Sequence, residues 1–472
     1  MNRLLELLAL QIILKSQLIF HGQYVIILFA LKGELMEINR DRYLERLVHF
    51  MHNGTVKVVT GVRRCGKSYL LRTLFHRYLI NNGESEDHIV EIDLEAEGNE
   101  RFWDPLVLGE YIRNRIKDNG RYYVILDEIQ RVRKTLPPGV DLARIPPEEQ
   151  ESAFVTFYDV LNGLNNRKNV DVYVTGSNSK MLSKDVMTVF RGRSTEIRVF
   201  PLSFSEVLSA KGGDKSDVWE EYLMFGGMPQ AVLEPDEKER ANILKSLFEY
   251  VYFRDLVERH SLKNDMVLRE ITDVACSSVG SLVSPQKIEA TIRSVQGHSA
   301  SAPTVKKYLE YLEDAFLFEK ASRYDVRGRK YFDTPAKYFA VDAGLRNARL
   351  NFREPERTHL MENVIYNELR RRGYSVDVGV VDIQSTVDGK RVFKRHEIDF
   401  VVNLPLGKMY IQSAFNIDDP VRKAAETASL HKTGDFFRKL IVTDGNRKLV
   451  TDEDGISYVG VLQFLTNSDI MN

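Results

Sequence analysis

One octapeptide limits what this chain can fold into more than any other segment. Gly61-Val62-Arg63-Arg64-Cys65-Gly66-Lys67-Ser68 directly follows the apolar run Val56–Thr60 and opens a helical stretch, Ser68–Tyr78. A buried strand, a loop bounded by glycines and a helix are the setting in which Gly-x4-Gly-Lys-Ser cradles phosphates. Gly61 and Gly66 allow positive φ and close approach, so successive N–H groups form a concave anion nest. The helix N-terminus adds partial positive charge beneath the β-phosphate. Lys67 reaches the β- and γ-phosphates and the Ser68 hydroxyl is a ligand for Mg2+, so ATP is the expected cofactor, held by Gly61 through Ser68 and by Tyr69.

A second motif, Tyr122-Tyr123-Val124-Ile125-Leu126-Asp127-Glu128, is an apolar strand ending in two carboxylates. That places Asp127 at the carboxyl edge of a sheet, as a ligand for the magnesium through water, and Glu128 beside it as the activator of the attacking water. The next strand ends in Thr175-Gly176-Ser177-Asn178. Ser177 and Asn178 are both candidates to sense the γ-phosphate; a helix N-cap is the competing reading and is compatible with that role. Arg191 and Arg193 are candidates for an arginine finger acting across a subunit boundary, against a solvated pair of arginines.

Between residues 36 and 200, apolar runs alternate with helical stretches. The runs are Val56–Thr60, Ile89–Leu94, Tyr122–Leu126, Val170–Thr175 and Thr195–Val199. They lack polar alternation, which predicts a parallel α/β sheet covered on both faces. A Pro- and Glu-rich insertion separates the third from the fourth. Residues 201–265 read as a helical lid, 266–350 as a middle domain of helices and a hairpin, and 351–472 as a mixed α/β domain. In the N-terminal part, Glu37 to Leu44 reads as the opening of a capped amphipathic helix.

Of the 472 residues, 43% are hydrophobic and 28% charged, and the formal net charge is −1. No global field draws the protein to nucleic acid or to an anionic membrane, so any such contact needs a local patch. Two cysteines, Cys65 and Cys276, cannot form a disulfide framework and point to a reducing, cytoplasmic setting. Residues 1–35 are rich in Leu and Ile, yet their longest uncharged stretch, Ser16 to Leu31, is too short for a bilayer span. Translation from Met36 is the preferred reading of this extension, with a membrane-surface helix as its alternative.

With these residues assembled, the chain resembles the AAA-type ATPases of bacteria and archaea that carry a C-terminal domain of unknown function. The resemblance rests on Thr60 to Ser68, Leu126-Asp127-Glu128-Ile129-Gln130, Thr175-Gly176-Ser177, Arg191-Gly192-Arg193 and Phe200-Pro201-Leu202-Ser203-Phe204. It continues through Gly226-Gly227-Met228-Pro229, Tyr252-Phe253-Arg254-Asp255 and Lys337 to Leu345. The resemblance implies a P-loop NTPase core, a helical lid with a winged-helix middle, and a restriction-nuclease-like end. It implies no particular substrate.

In the middle domain, helices over Gln286–Ile292 and Val305–Ala315 precede a hairpin from Leu317 to Phe332, the order of a winged helix-turn-helix. Lys306 and Lys307 begin the second helix, and Arg323, Arg327, Arg329 and Lys330 at the hairpin suit phosphates of DNA. Glu310, Glu313 and Asp314 oppose that reading, which leaves a protein-interaction role open. In the last domain, Glu362, Glu368 and Glu397-Ile398-Asp399 resemble a restriction-type nuclease, but the Glu-x-Lys positions read Gln412 and Ala414. Losing both charges removes most hard-cation affinity, so a structural or protein-binding unit is expected, with Glu397 and Glu368 as partial substitutes. The sequence thus predicts a magnesium-dependent ATPase acting as a switch on a protein client, with a homo-oligomer in view. A low-turnover ATP-binding regulator is the alternative.

Overall fold

The computed structural model describes residues 30–31, 34–35, 37–176, 192–262, 265–296, 300–353, 356–387 and 390–471. Most of the N-terminal extension lies outside the described residues, as do Ser177, Asn178 and Arg191. Among the described residues no helix is long and apolar enough to cross a membrane.

The first sheet contains β1 (Val56–Thr60), β2 (Ile89–Asp93), β3 (Tyr122–Asp127), β4 (Val170–Thr175) and β5 (Ser194–Arg198), in the order β2-β3-β4-β1-β5. All neighbours are parallel. Every residue of β1, β3 and β4 is buried, as the unbroken apolar runs require. Alternate residues face opposite layers. Val59, Tyr123, Ile125 and Tyr173 share a core with Leu71, Leu74 and Phe75 of α2 (67–81). Val58, Val124, Leu126, Val172 and Val174 share another with α3 (Pro105–Arg115) and α4 (Phe157–Asn165). The sheet is not wholly apolar: fully buried Lys57 of β1 is ion-paired to Asp171 of β4, which also accepts from the Tyr173 hydroxyl at 2.7 Å.

The helix expected to open at Glu37 opens at Asp41 instead, as α1 (Asp41–His49). Arg40, at its N-cap, has no oxygen with which to hold the first-turn N–H groups. Its guanidinium turns toward the phosphate loop.

The lid contains α5 (Phe204–Lys211), α6 (Lys215–Phe225), α7 (Pro229–Leu233) and the long α8 (237–259). A Ser203/Glu206 capping box starts α5. Next come α9 (Met266–Ser277), β6 (Leu282–Val283), α10 (Pro285–Gln296), α11 (Ala302–Asp314), β7 (Phe318–Asp325) and β8 (Lys330–Ala340). The remainder is α12 (Ala343–Arg349), α13 (Arg357–Arg371), β9 (Ser375–Val387), β10 (Lys390–Leu404), β11 (Gly407–Ala414), α14 (Pro420–Ala428), β12 (Lys439–Thr443), β13 (Val450–Thr451), β14 (Ile456–Gly460) and α15 (Val461–Thr466).

The hairpin read as ending at Phe332 is longer than its sequence pattern suggested, because β8 continues to Ala340. It is also not free-standing. Its strands lie in a nine-stranded mixed sheet ordered β13-β14-β12-β11-β10-β9-β7-β8-β6, where β7 runs parallel to β9 and β8 antiparallel to β6. The sheet therefore runs unbroken across residue 350, where the sequence reading changed domain.

The lid and this second body meet at an interface built on glycine. The Asp342 carboxylate accepts from the Gly227 N–H at 2.6 Å and the Leu345 N–H at 2.9 Å, and Asn347 donates to Leu223 and Met224 carbonyls at 2.9 Å. A Cβ on Gly344 would sit 2.0 Å from the Phe225 carbonyl oxygen, so no other residue fits there.

Candidate nucleotide site

Two turns of chemistry meet at the carboxyl edge of the first sheet. The loop after β1 has Gly61 at φ 142°, Arg64 at 62° and Gly66 at 101°, the positive values a concave nest of N–H groups requires. A Cβ on Gly61 would sit 2.1 Å from the Val199 carbonyl oxygen, so this glycine is fixed by close approach as well as by φ. Lys67 is buried and donates to the Gly61 and Val62 carbonyls at 3.1 and 3.2 Å. An ammonium held only by neutral carbonyls gains by exchanging them for phosphate oxygens, since charge-assisted bonds are roughly twice as strong. Cys65 is fully buried against the Val199 carbonyl, and burial raises its thiol pKa, consistent with a packing role.

Asp127 and Glu128 lie beside the loop, both buried. Burial first, then neighbouring Glu128, pushes the Asp127 carboxyl above the usual range, while hydrogen bonds from Ser68 and Thr175 oppose the rise. A crowded pair of carboxylates bonded to the loop's own serine is the donor set a hard dication relieves, so Ser68 and Asp127 fit magnesium. Glu128 sits at φ 55°, an unusual backbone for this residue, and its carboxylate accepts from the Gln130 amide.

Thr175, at the end of β4, was missed by the sequence reading, which looked two residues further on. Its hydroxyl donates to Asp127 Oδ1 and accepts from the Glu128 N–H at 2.9 Å. One side chain thus orients both Asp127 and Glu128. Thr175→Val, which keeps the shape but not the hydroxyl, is expected to lower kcat for phosphate release about 10- to 100-fold with little change in KM. Thr175→Ser should restore it. A valine variant as fast as the parent would remove Thr175 from the machinery.

The loop is also gripped from outside the sheet. Arg40 donates to the Cys65 carbonyl at 3.1 Å and the Phe200 carbonyl at 2.6 Å, and pairs with Glu206 at 3.0 Å. From α8 of the lid, the Tyr252 hydroxyl donates to the Arg63 carbonyl at 2.9 Å, and Asp255 lies 3.6 Å from the Arg63 guanidinium. Arg63 and Arg131 share Glu95. Tyr69 reaches Glu37 at 3.5 Å. Arg193 is exposed and precedes β5, next to Val56 at the amino edge of the sheet, so it is separated from its own chain's phosphate loop by the length of a strand.

Comparison with known proteins agrees with this geometry. A family model described as an AAA domain matches residues 53–208, and one described as a domain of unknown function matches 216–356. A relative in Haemophilus influenzae, named only as an uncharacterized protein, is 33% identical over 434 residues, covering 91% of this chain and 98% of its own. The chain belongs to the AAA-domain family. A second uncharacterized protein, from Methanocaldococcus jannaschii, is 26% identical over 429 residues, covering 88% and 85% of the two chains. Among solved structures, the Aeropyrum pernix Orc1 protein in complex with DNA matches at 13% identity and a TM-score of 0.26, over 67% of this chain and 93% of its own. So loose a superposition carries no functional weight.

The loop, Asp127, Glu128, Thr175 and Arg193 lie within the span matched by the AAA domain; the expected middle-domain and C-terminal sites lie beyond it. Lys337 of β8, 2% exposed, places its ammonium 2.7 Å from Glu362, 2.5 Å from Glu397 and 3.2 Å from Asp399. An ammonium thus reaches Glu397 and Asp399 from another strand, which spacing along β11 could not reveal. Glu368 does not join this group. It pairs with Arg371 at 2.8 Å, Arg372 at 2.7 Å and Arg42 at 3.6 Å, on a different face of α13 from Glu362, so it cannot substitute there. Gln412 accepts from the Asp399 N–H at 3.3 Å and donates to Glu426 at 3.1 Å. Among the described residues, no three His, Cys, Asp or Glu side chains are arranged to hold a metal ion.

Lys306 and Lys307 are exposed on α11, and Arg327, Arg329 and Lys330 are exposed at the hairpin tip. Arg323 is not at the tip. It lies within β7, only partly exposed, with its guanidinium 5.5 Å from the Phe332 ring.

Proposed function

We propose that the protein is a magnesium-dependent ATPase whose nucleotide state sets the posture of the lid and the second body. The observation that carries this is the grip on Arg63. A residue of the loop itself is held through its carbonyl by Tyr252 and through its guanidinium by Asp255, both on the lid helix. A change in loop charge is therefore felt at α8. Lys67 binds the phosphates, Ser68 and Asp127 hold magnesium, Glu128 takes the proton of the attacking water, and Thr175 keeps the two carboxylates in place. Magnesium supplies charge neutralisation on the phosphate oxygens.

The second body is reached by further contacts. Arg371 donates to the Pro201 carbonyl at 3.3 Å, and Arg198 of β5 pairs with Glu319 of β7 at 2.7 Å. Arg193, too far from its own loop, serves as an arginine finger only toward a second copy, which favours a homo-oligomer. Release of phosphate from ATP by the full chain, with magnesium and with chelator, tests the proposal. Release that requires the metal supports it; tight nucleotide binding with no release favours the low-turnover regulator.

Nucleic acid is a second reading, favoured by one arrangement. The order α9-β6-α10-α11-β7-β8, with β6 paired to β8, supports a winged helix-turn-helix with exposed Lys306 and Lys307 early on α11. The carboxylate group closed by Lys337 supports a structural or protein-binding role for the C-terminal domain rather than DNA cleavage.

A further inference from the structure

Beyond the hairpin tip, the outer face of the nine-stranded sheet carries exposed aromatic rings interleaved with cations. Tyr331 of β8 is 60% exposed and lies 5.1 Å, ring to ring, from Tyr324 of β7. The Lys408 ammonium sits 5.2 Å from the Tyr324 ring and 5.6 Å from that of Phe437. Phe437 is backed by the Leu406-Gly407 turn, where a Cβ on Gly407 would meet its ring at 2.5 Å. Next to it, Phe436 is fully exposed, at 107%. The tip closes the other end: Arg327 donates to the Lys432 carbonyl at 2.9 Å and passes within 3.9 Å of the Cβ position of Gly434, two residues before Phe436. Arg329 and Lys330 stay exposed beside it.

The carboxylates beneath this surface are engaged inward. Asp325 accepts from the Arg327 and Gly328 N–H groups at 3.1 and 2.7 Å, Asp377 from the Tyr331 hydroxyl at 3.1 Å, and Asp435 from the Tyr410 hydroxyl at 2.6 Å. Asp333, exposed two residues beyond Tyr331, bounds the basic stretch.

Rings open to solvent with ammonium and guanidinium groups between them match a ligand that alternates flat apolar faces with negative charges. Unpaired bases offer that face; a duplex hides it. An acidic peptide would use the cations but leave Phe436 and Tyr331 without a purpose. We propose that this surface binds single-stranded nucleic acid, with bases stacked on Tyr331 and Phe436 and phosphates held by Arg327, Arg329 and Lys330. The inference rests on the nucleic-acid reading of the hairpin and deepens it, moving the contact from the α11 groove face to the outer sheet.

The test is polarisation of a labelled oligothymidylate of about 20 nucleotides, long enough for such a site, titrated with the full chain. Tyr331→Ala with Phe436→Ala should weaken binding about 100-fold, on the order of tenfold per stacked base, while Lys306→Ala with Lys307→Ala leaves it unchanged. Arg327→Ala with Arg329→Ala should lower the slope of log K against log salt by about 1.4, roughly 0.7 per phosphate contact on a single strand. Phe436 is fully exposed, so folding is not at stake in its replacement. Absence of single-strand binding, or binding untouched by the aromatic pair, overturns the proposal. Tighter binding to a blunt duplex that is lost with Lys306 and Lys307 also overturns it, yet leaves the α11 reading standing. Retention on phosphatidylserine vesicles, abolished by Phe436→Ala and without oligonucleotide binding, overturns both.

Discussion

Glu128→Gln is expected to leave ATP bound and to slow phosphate release by about 10²- to 10⁴-fold, the usual contribution of a positioned general base. The amide has the shape of the carboxylate it replaces, so the αL backbone at this position and the N–H bond to Thr175 are retained. Its oxygen can still accept from Gln130. What it loses is basicity. Lys67→Ala provides the contrast, because removing the ammonium strips charge from the phosphate site itself and nucleotide retention should fall along with turnover. Nucleotide retained on the filter and steady-state phosphate release, measured on the same preparations, separate the two. Release within about tenfold of the parent in the Glu128 variant would show that another group takes the proton. Because the variant holds ATP without consuming it, it is also the form in which to look for a protein client.

Lys337→Met should cost about 3 to 5 kcal/mol of stability, the usual penalty for removing one partner of a buried ionic group. Three carboxylates, Glu362, Glu397 and Asp399, would then face one another with no cation among them. Burial, and after it the Asp399 charge, already raises the Glu362 carboxyl to about 8, and burial raises Glu397 as well. For a carboxyl whose pKa is higher folded than unfolded, stability is full below the unfolded value and is lost as pH rises through the folded one. Lys337 holds the Glu362 value down, so the variant should suffer less near pH 5 than near pH 9, and its deficit should grow as pH rises through about 8, where the parent's Glu362 ionises beside the ammonium. Glu362→Gln on the same background should recover part of the loss by removing one of the crowded charges. Urea melts at the two pH values check both statements. A Lys337→Met protein melting like its parent at pH 9 would mean that the ammonium does not hold this group together.

What the sequence revealed and what it hid follow from how far each signal travels along the chain. The phosphate loop, Asp127 and the five strands of the first sheet are local patterns: a run of apolar residues, a glycine spacing, a charge at a strand end. The five strands fall within a residue or so of where they were read. Thr175 was visible within a noted motif, but its role depends on a hydroxyl reaching across to β3, which no spacing encodes. Arg40 and Lys337 were lost for the same reason in stronger form. Arg40 reads as part of the helix expected to open at Glu37, yet it is buried against carbonyls 25 and 160 residues away. Lys337 reads only as the start of the Lys337-to-Leu345 run that carries the family resemblance, yet its carboxylate partners come from α13 and β10. Lys57 and Asp171 hid inside strands that looked wholly apolar because each supplies the other's counter-charge. The start of α1 was misplaced because propensity and a run of polar residues fitted a helix turn that Arg40 has left to serve the loop.

The strand pair β7–β8 has a mechanical meaning. The β8 edge of the hairpin pairs with β6 and its β7 edge with β9, so the α9–α11 region and the C-terminal strands share one sheet, with the β7–β8 register shifting between Phe332 and Lys337. A stroke of the kind proposed would then carry the helices and the far sheet together as a single arm. The play in the machine has to lie where only side chains cross, at Arg371 on Pro201, Arg198 on Glu319 and the glycine seam under Asp342.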